Sequence, residues 1–579
     1  YMFFDLVQAG KRLDAVIGEL VDKGPSAEEL NRAVTRNVAG AIQAMESVST
    51  KASILAEGLL YSNDPARYAK ELRLYATATP TQVQAAMQKW LSRPVYALTV
   101  TPGARPPYTE AAAKTAAAPQ AATETLAIAK RDPAPPVGTL SPLRFPEITH
   151  SKLSNGIEVV YAQRSAVPTT LVSLSFDAGT SADPAQAQGT AALMGALLKE
   201  GTLSLDSIAL AERQEALGAS IGAGSSLEST GLQLSALSAN LGASLDLFAD
   251  IALNPAFNEA EIERVRAQML SAIDAELTSP QAMAARVLNP ALYGSNHPYA
   301  RQARGTTESV KALTRGDLVA FHHAWMRPEG AKFFVVSDKP LSEIQPMLEA
   351  RFARWVATGP AGIKNLDAPI PAPTARILLI DRKDSPQSHI AAGMVLDRKG
   401  TDDLLDLEAA AQIVGGSFLS RINTDLRETK GWSYGVRAGL SQPRGPVAYK
   451  ISAPVQADKT GPAIAALLEQ YQEFLTSKGV TDEELARTQD GNVRELPGSF
   501  QTGGAVLSAM QENSNFDRPD DYYVKLAPRI RAQTTEALDK AARSNLDMSR
   551  LIWVVVGDAD KIRPQLAGLG LPVEEVSLK

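Results

Sequence analysis

The chain contains no cysteine, so disulfide scaffolds and thiolate metal sites are excluded. Histidine is nearly as scarce, with five residues among 579: His150, His297, His322, His323 and His389. No two stand four apart, and the adjacent His322 and His323 point in different directions on a helix. Each is therefore expected as an isolated core or surface histidine, and a complete zinc site built from this chain alone is not expected. No run of about 18 apolar residues occurs, which argues against a membrane-spanning helix. With 58 basic and 64 acidic side chains the net charge is only -6, too little for a field that gathers nucleic acid or anionic membrane. The opening "YMFFDLVQAGKRLDAVIGEL" has no basic leader and passes straight into a helical pattern, so it does not read as a signal peptide.

What is present is a globular composition, 45% hydrophobic and 21% charged. A chain of this length implies several domains of roughly 100–200 residues each. An alanine- and proline-rich stretch at 104–138 reads as a linker, and a shorter break falls at 357–373. These breaks leave a leading fragment at 1–103 and two blocks of similar size at 139–356 and 374–579. The first block opens with alternating segments, "NGIEVVYAQ" and "TTLVSLSFDAG", continues with helical patterns, and closes with "AKFFVVSD". The second repeats that order from "ARILLIDR" to "LIWVVVGD". The expected fold class is α+β, in tandem modules, each a mostly antiparallel sheet with helices covering one face.

An internal repeat supports this division. "ELVDKGPSAEELNRAVTRNV" at 19–38 matches "EFLTSKGVTDEELARTQDGNV" at 473–493. In each copy a helix ends at a glycine, Gly24 or Gly479. Ser26 or Thr481 can then cap the next helix, with Glu29 or Glu484 closing the box. The fragment ends with "SRPVYALTVTPG" at 92–103, much as the last block ends with "MSRLIWVVVGD". Residues 1–103 are thus expected to be the C-terminal part of a preceding module, whose first part lies outside this sequence.

The stretch "GTAALMGALLKEGT" at 189–202 resembles the zinc helix of the pitrilysin family of metallopeptidases, which carry an inverted motif commonly written G-x-x-H-x-x-E-H-x-x-x-x-G-T. Gly189, Gly201 and Thr202 match that frame, while Ala192, Gly195 and Ala196 stand at the two histidine positions and the glutamate position. Two imidazoles one turn apart can bind zinc and a glutamate can take a proton, whereas alanine and glycine do neither. The family's third ligand, a glutamate on a later helix, falls here around Ser271 or Ala272, and Glu263 and Glu276 are expected as solvated helix-face charges. The resemblance therefore implies a zinc-motif-deficient half that binds no metal itself.

A second likeness lies in "GGSFLSRINTDLRETKGWSYGVRAGL" at 415–440. It implies that Arg427 and Tyr434 correspond to the family's arginine and tyrosine that hold substrate and stabilise the transition state, a task suited to guanidinium and phenol donors. The plainer alternative pairs Arg427 with Glu428 or Asp425 and buries part of Tyr434 as an anchor. Gly415 and Gly416, with Ser417, are expected to form a tight helix-entry turn. A third likeness, at 217–237, implies substrate binding by an edge strand at Gly222, Ala223, Gly224 and Ser225, against the alternative of a plain edge or hairpin.

The function implied is that of the zinc-less, substrate-binding half of a metalloendopeptidase acting on peptides or unstructured polypeptides. Zn2+ and the general base would come from a missing N-terminal half or a partner subunit of the same family, the chain alone being inactive. The alternative is a non-catalytic regulatory or scaffold protein of the same fold. The expected partners are the zinc-bearing module and peptide substrates, with no nucleic acid and no membrane insertion. Family habit points to the periplasm, with the cytoplasm as the alternative.

Overall fold

The structure, a computed structural model, describes residues 6–100, 103, 138 and 142–578. The linker expected over 104–138 therefore lies, apart from Gly138, outside the described residues. Five helices open the chain: α1 (Leu6–Lys23), α2 (Ala27–Ala44), α3 (Val48–Ser62), α4 (Arg67–Thr77) and α5 (Pro80–Trp90). Two compact units follow from the contacts, Tyr1–Leu30 with Thr77–Pro142, and Asn31–Ala76 with Leu143–Lys579.

In the first unit α1 and α5 are joined by side chains of α5. Gln84 Nε2 donates to the Asp22 carbonyl at 2.6 Å and Gln88 Nε2 to that of Val21 at 3.3 Å. Gly24 takes a left-handed φ of 71° directly after α1. The expected capping box is formed, Glu29 N donating to Ser26 Oγ at 3.1 Å and Ser26 N to Glu29 Oε2 at 2.8 Å. Pro94–Val100 forms no strand, and Val95, Tyr96, Leu98 and Val100 are exposed. A strand needs neighbours for its N–H and C=O groups, and among the described residues no strand flanks this segment.

The second unit holds two six-stranded sheets. The first contains β1 (Ile148–Lys152), β2 (Glu158–Gln163), β3 (Thr169–Phe176), β4 (Ser220–Ser225), β5 (Thr230–Leu237) and β6 (Ala331–Ser337), in the order β1-β2-β6-β3-β5-β4. Only β2 and β6 run parallel. Helices α6 (Thr190–Leu197), α7 (Ser207–Leu217), α8 (Leu241–Leu253), α9 (Glu259–Glu276) and α10 (Pro280–Tyr293) lie between β3 and β6. The second sheet contains β7 (Arg376–Asp381), β8 (Gln387–Lys399), β9 (Arg437–Ser441), β10 (Pro446–Gln456), β11 (Ile552–Gly557) and β12 (Val573–Glu575), in the order β12-β7-β11-β8-β10-β9. The parallel pair β7/β11 beside antiparallel β8, β10 and β9 repeats the order β2/β6, β3, β5, β4.

Both faces of each sheet are covered, where sequence periodicity predicts helices on one. The central strands explain the difference: β11 is buried at every position, and β6 at all but one. Strands apolar on both sides need two covers. Each module supplies the other's second cover. Val506, Leu507 and Met510, from the helix Gly503–Asn515, pack on Val160, Phe334 and Val336 of the first sheet. In return Met283, Leu288 and Leu292 of α10 pack on Leu378, Ile380 and Val554 of the second. Residues 31–76 belong to the same body: Arg164 Nε donates to Glu46 Oε1 at 3.0 Å, and Arg36 Nη1 to Glu215 Oε1 at 3.0 Å.

Candidate functional site

Helix α6 carries the three positions where zinc chemistry is expected. Asp183 fixes its start, one carboxylate oxygen accepting from Gly189 N at 2.7 Å and the other from Ala191 N at 2.8 Å. Burial pushes this carboxyl up to about 7, against the pull of those two donors and of Arg301. Gly189, at φ 93°, provides the left-handed turn into the helix. The frame is thus well held, but its contents do not fit a metal. The Ala192 and Ala196 side chains offer no lone pair, and the glutamate position is crowded by Ser225. A Cβ on Gly195 would stand 2.7 Å from Ser225 Oγ and 3.2 Å from the Gly224 carbonyl carbon.

The later helix adds no ligand. Ser271 is exposed and its hydroxyl donates to the Ala267 carbonyl at 2.9 Å, while Ala272 has no donor atom. Glu263 is a solvated charge, paired with Arg266 at 3.2 Å. Glu276 is not: it is largely buried and bound by Arg286 at 2.8 Å and by Arg304. The interval of 10 residues between Glu276 and Arg286 crosses a helix boundary, so helical spacing rules could not find the pair. Among the described residues no cluster of three or more His, Asp or Glu could hold a metal ion. The histidines serve locally. His150 bridges Glu158 and Asp520, and His297 accepts from Tyr299 N at 3.1 Å.

The edge strand expected at 222–225 is β4, bonded only to β5. Gly222 and Gly224 are exposed and Ala223 is half-buried, so one backbone edge faces outward. Ser225 is committed to the fold, donating to the Ala191 carbonyl at 2.7 Å and pairing with Thr230 Oγ1 at 2.6 Å. The structure therefore brings Gly224 and Ser225 against the altered motif helix.

Arg427 and Tyr434 are brought together elsewhere, in a cleft of about 400 Å³ built wholly from the second module. Of two π-helical turns, a backbone form frequent at functional sites, Gln412–Gly416 precedes it and Thr424–Thr429 supplies Arg427 and Glu428 to its wall. Gly415 and Gly416 close the first of these turns rather than opening a helix. Close packing is the reason, since a Cβ on Gly415 would meet Ala438 Cβ at 2.6 Å. The loop that follows is pinned throughout. Trp432 N donates to the Leu426 carbonyl at 2.9 Å, Ser433 Oγ to that of Pro454, and Val436 N to Asn423 Oδ1 at 2.9 Å.

On this pinned loop Tyr434 is 89% exposed, which removes the partly buried anchor, whereas the Arg427–Glu428 pair of the same plainer alternative is present. Arg427 lies over the Phe418 ring at 4.5 Å and pairs with Glu428 at 3.2 Å, while Asp425 is taken by Lys430. Phe418 and Leu419 are 53% and 56% exposed, Phe418 beneath the Arg427 guanidinium. The signal for this exposure lay in "GGSFLSR": two large apolar residues between glycine and serine, with no periodic partner to bury them.

Known proteins share this architecture. The family model described as Insulinase (Peptidase family M16) matches residues 158–307, and that described as Peptidase M16 inactive domain matches 312–492. An uncharacterized zinc protease of Mycobacterium leprae is 25% identical over 379 residues, 64% of this chain and 81% of that protein. A non-peptidase homolog of Helicobacter pylori is 22% identical over 437 residues, 73% of this chain and 98% of its own length. A solved peptidase M16 inactive domain from Pseudomonas fluorescens superposes with a TM-score of 0.66 at 25% identity, covering 71% of this chain and 98% of that one. With matches of one family across both sheets, and a zinc helix that retains its frame without its ligands, the chain belongs to the pitrilysin (M16) metallopeptidase family as a zinc-motif-deficient member.

Proposed function

We propose that this chain is the substrate-holding half of a zinc-dependent endopeptidase, with Zn2+ and the general base on a complementary module or subunit of the same family. The observation that carries this proposal is the placement of Arg427 and Tyr434. A phenol 89% exposed on a pinned loop does little for folding, yet it faces a cleft shared with a guanidinium. Both groups donate hydrogen bonds, so they suit the carbonyl oxygens of an extended peptide and the charge that develops on one of them. The open edge of β4 at Gly222, Ala223 and Gly224 offers a second handhold through backbone pairing. The periplasm is the proposed compartment.

Binding of a fluorescent unstructured peptide to the chain tests this proposal. Arg427→Ala and Tyr434→Phe should each weaken binding about tenfold, as expected for loss of roughly 1.4 kcal/mol. The chain alone should not hydrolyse the peptide, with or without added zinc, whereas a zinc-bearing family module should restore cleavage that depends on Arg427. Peptide binding unchanged in both variants would overturn the proposal. A second reading, a non-catalytic scaffold, is favoured by the non-peptidase homolog of Helicobacter pylori matched over 98% of its length. It predicts no cleavage with any zinc-bearing partner.

A further inference from the structure

Where α10 crosses the second sheet, the two modules line an open-sided cavity of about 310 Å³ whose lining includes Thr180, Glu276, Arg286, Asn289, Arg301 and Lys450. Its described lining residues include three cations and one carboxylate. Lys450, on β10, reaches across the seam, and its Nζ donates to Asn289 Oδ1 at 2.8 Å. Among the described residues it has no carboxylate partner. Arg301 donates to the Ser181 carbonyl and lies near Asp183, but both oxygens of Asp183 already accept backbone N–H groups. Arg286 shares the single acid of the cavity, Glu276, with Arg304. Three cations thus line the space with Glu276, while Asp183 near Arg301 and Glu228, bonded to the lining Tyr299, stand behind it; Lys450 is the cation left without an acid. Burial drives the Lys450 ammonium below the usual lysine range and lowers the Arg301 guanidinium likewise. Beside them Thr180, only 2% exposed, has an Oγ1 with no hydrogen-bond partner. A buried hydroxyl without a partner, and a half-buried ammonium without a carboxylate, are costly unless something completes them.

We propose that this cavity is a binding site for a small oxyanion, a phosphate or a carboxylate, held by Lys450, Arg301 and Arg286 with the Thr180 hydroxyl as a further donor. The seam position means that the anion would tie α10 of the first module to β10 of the second. Free inorganic phosphate and the C-terminal carboxylate of a peptide are the two sources of that chemistry.

Calorimetric titration of the full chain with inorganic phosphate, against chloride at equal ionic strength, tests the site. It is paired with a short peptide bearing a free C-terminal carboxylate and with the same peptide as its amide. Saturable binding of phosphate, or of the acid peptide but not its amide, supports the site and identifies the source. Lys450→Met should weaken that binding at least tenfold and Thr180→Val several-fold, while circular dichroism verifies that each variant is folded. Phosphate should also raise the melting temperature of the parent chain in a concentration-dependent way. No saturable binding of either ligand, or equal binding by the parent and both folded variants, would overturn the proposal.

Discussion

Arg421 and Glu484 are joined through both carboxylate oxygens, Nε to Oε1 at 2.7 Å and Nη2 to Oε2 at 2.6 Å, across 63 residues of chain. The same Glu484 oxygen closes the capping box by accepting from Thr481 N at 3.0 Å. Arg421 also donates to the Gly479 carbonyl and lies 4.9 Å from the Phe474 ring centroid. One ion pair therefore fixes the turn between two helices and anchors the segment that leads to Arg427. Arg421→Ala should cost about 3 kcal/mol of stability in denaturant titration, because a largely buried carboxylate loses its partner. Arg421→Lys should cost less, through loss of the two-pronged geometry.

Tyr434→Phe should leave the melting temperature unchanged, within about 0.5 kcal/mol, since an exposed hydroxyl has no folded-state role to lose. Scanning calorimetry provides the measurement. A large loss of stability would mean that the phenol is part of the fold and not of a binding surface.

Writing the metal motif back should fail. A variant carrying Ala192→His, Gly195→Glu and Ala196→His is expected to bind less than stoichiometric zinc by elemental analysis. Gly195→Ala alone should destabilise by roughly 1–3 kcal/mol, the cost of overpacking a filled site.

In mild acid His322 should subtract from stability, while Asp183, held up at about 7 by burial, acts in the opposite sense over the same range. Burial lowers the His322 imidazole to about 4 from 6.5, and among the described residues its Nε2 has no partner. Between those values the unfolded chain binds a proton that the folded chain refuses, so stability present above pH 6.5 is lost as pH falls toward 4. The full effect is about 3 kcal/mol. Because Asp183 contributes equally to both proteins, the His322 term is read as the difference: between pH 7 and 4 the denaturation midpoint of the parent chain should fall relative to that of His322→Gln.

Much of the two-sheet unit was legible in advance because its signals are local. Alternating residues gave β2 and β3, and the box at Thr481 and Glu484 gave a helix start that the structure keeps. The alanines and glycine at 192, 195 and 196 declared the missing chemistry by residue type alone. What was not legible depends on distant neighbours. The cover of each sheet by a helix of the other module, the clamp on Glu276 and the cavity around Lys450 join residues with no mutual spacing rule. Pro94–Val100 shows the converse: its composition is that of a strand, but pairing requires partners that composition does not contain.

Gly195 also bears on the edge of the sheet. With glycine at the glutamate position, Ser225 stands against it and bonds both Ala191 and Thr230, so the neighbourhood depends on the absence of a side chain there. A side chain placed at 195 meets that hydroxyl first. The arrangement is self-locking: any group added there must displace a serine that helps hold the edge of the sheet.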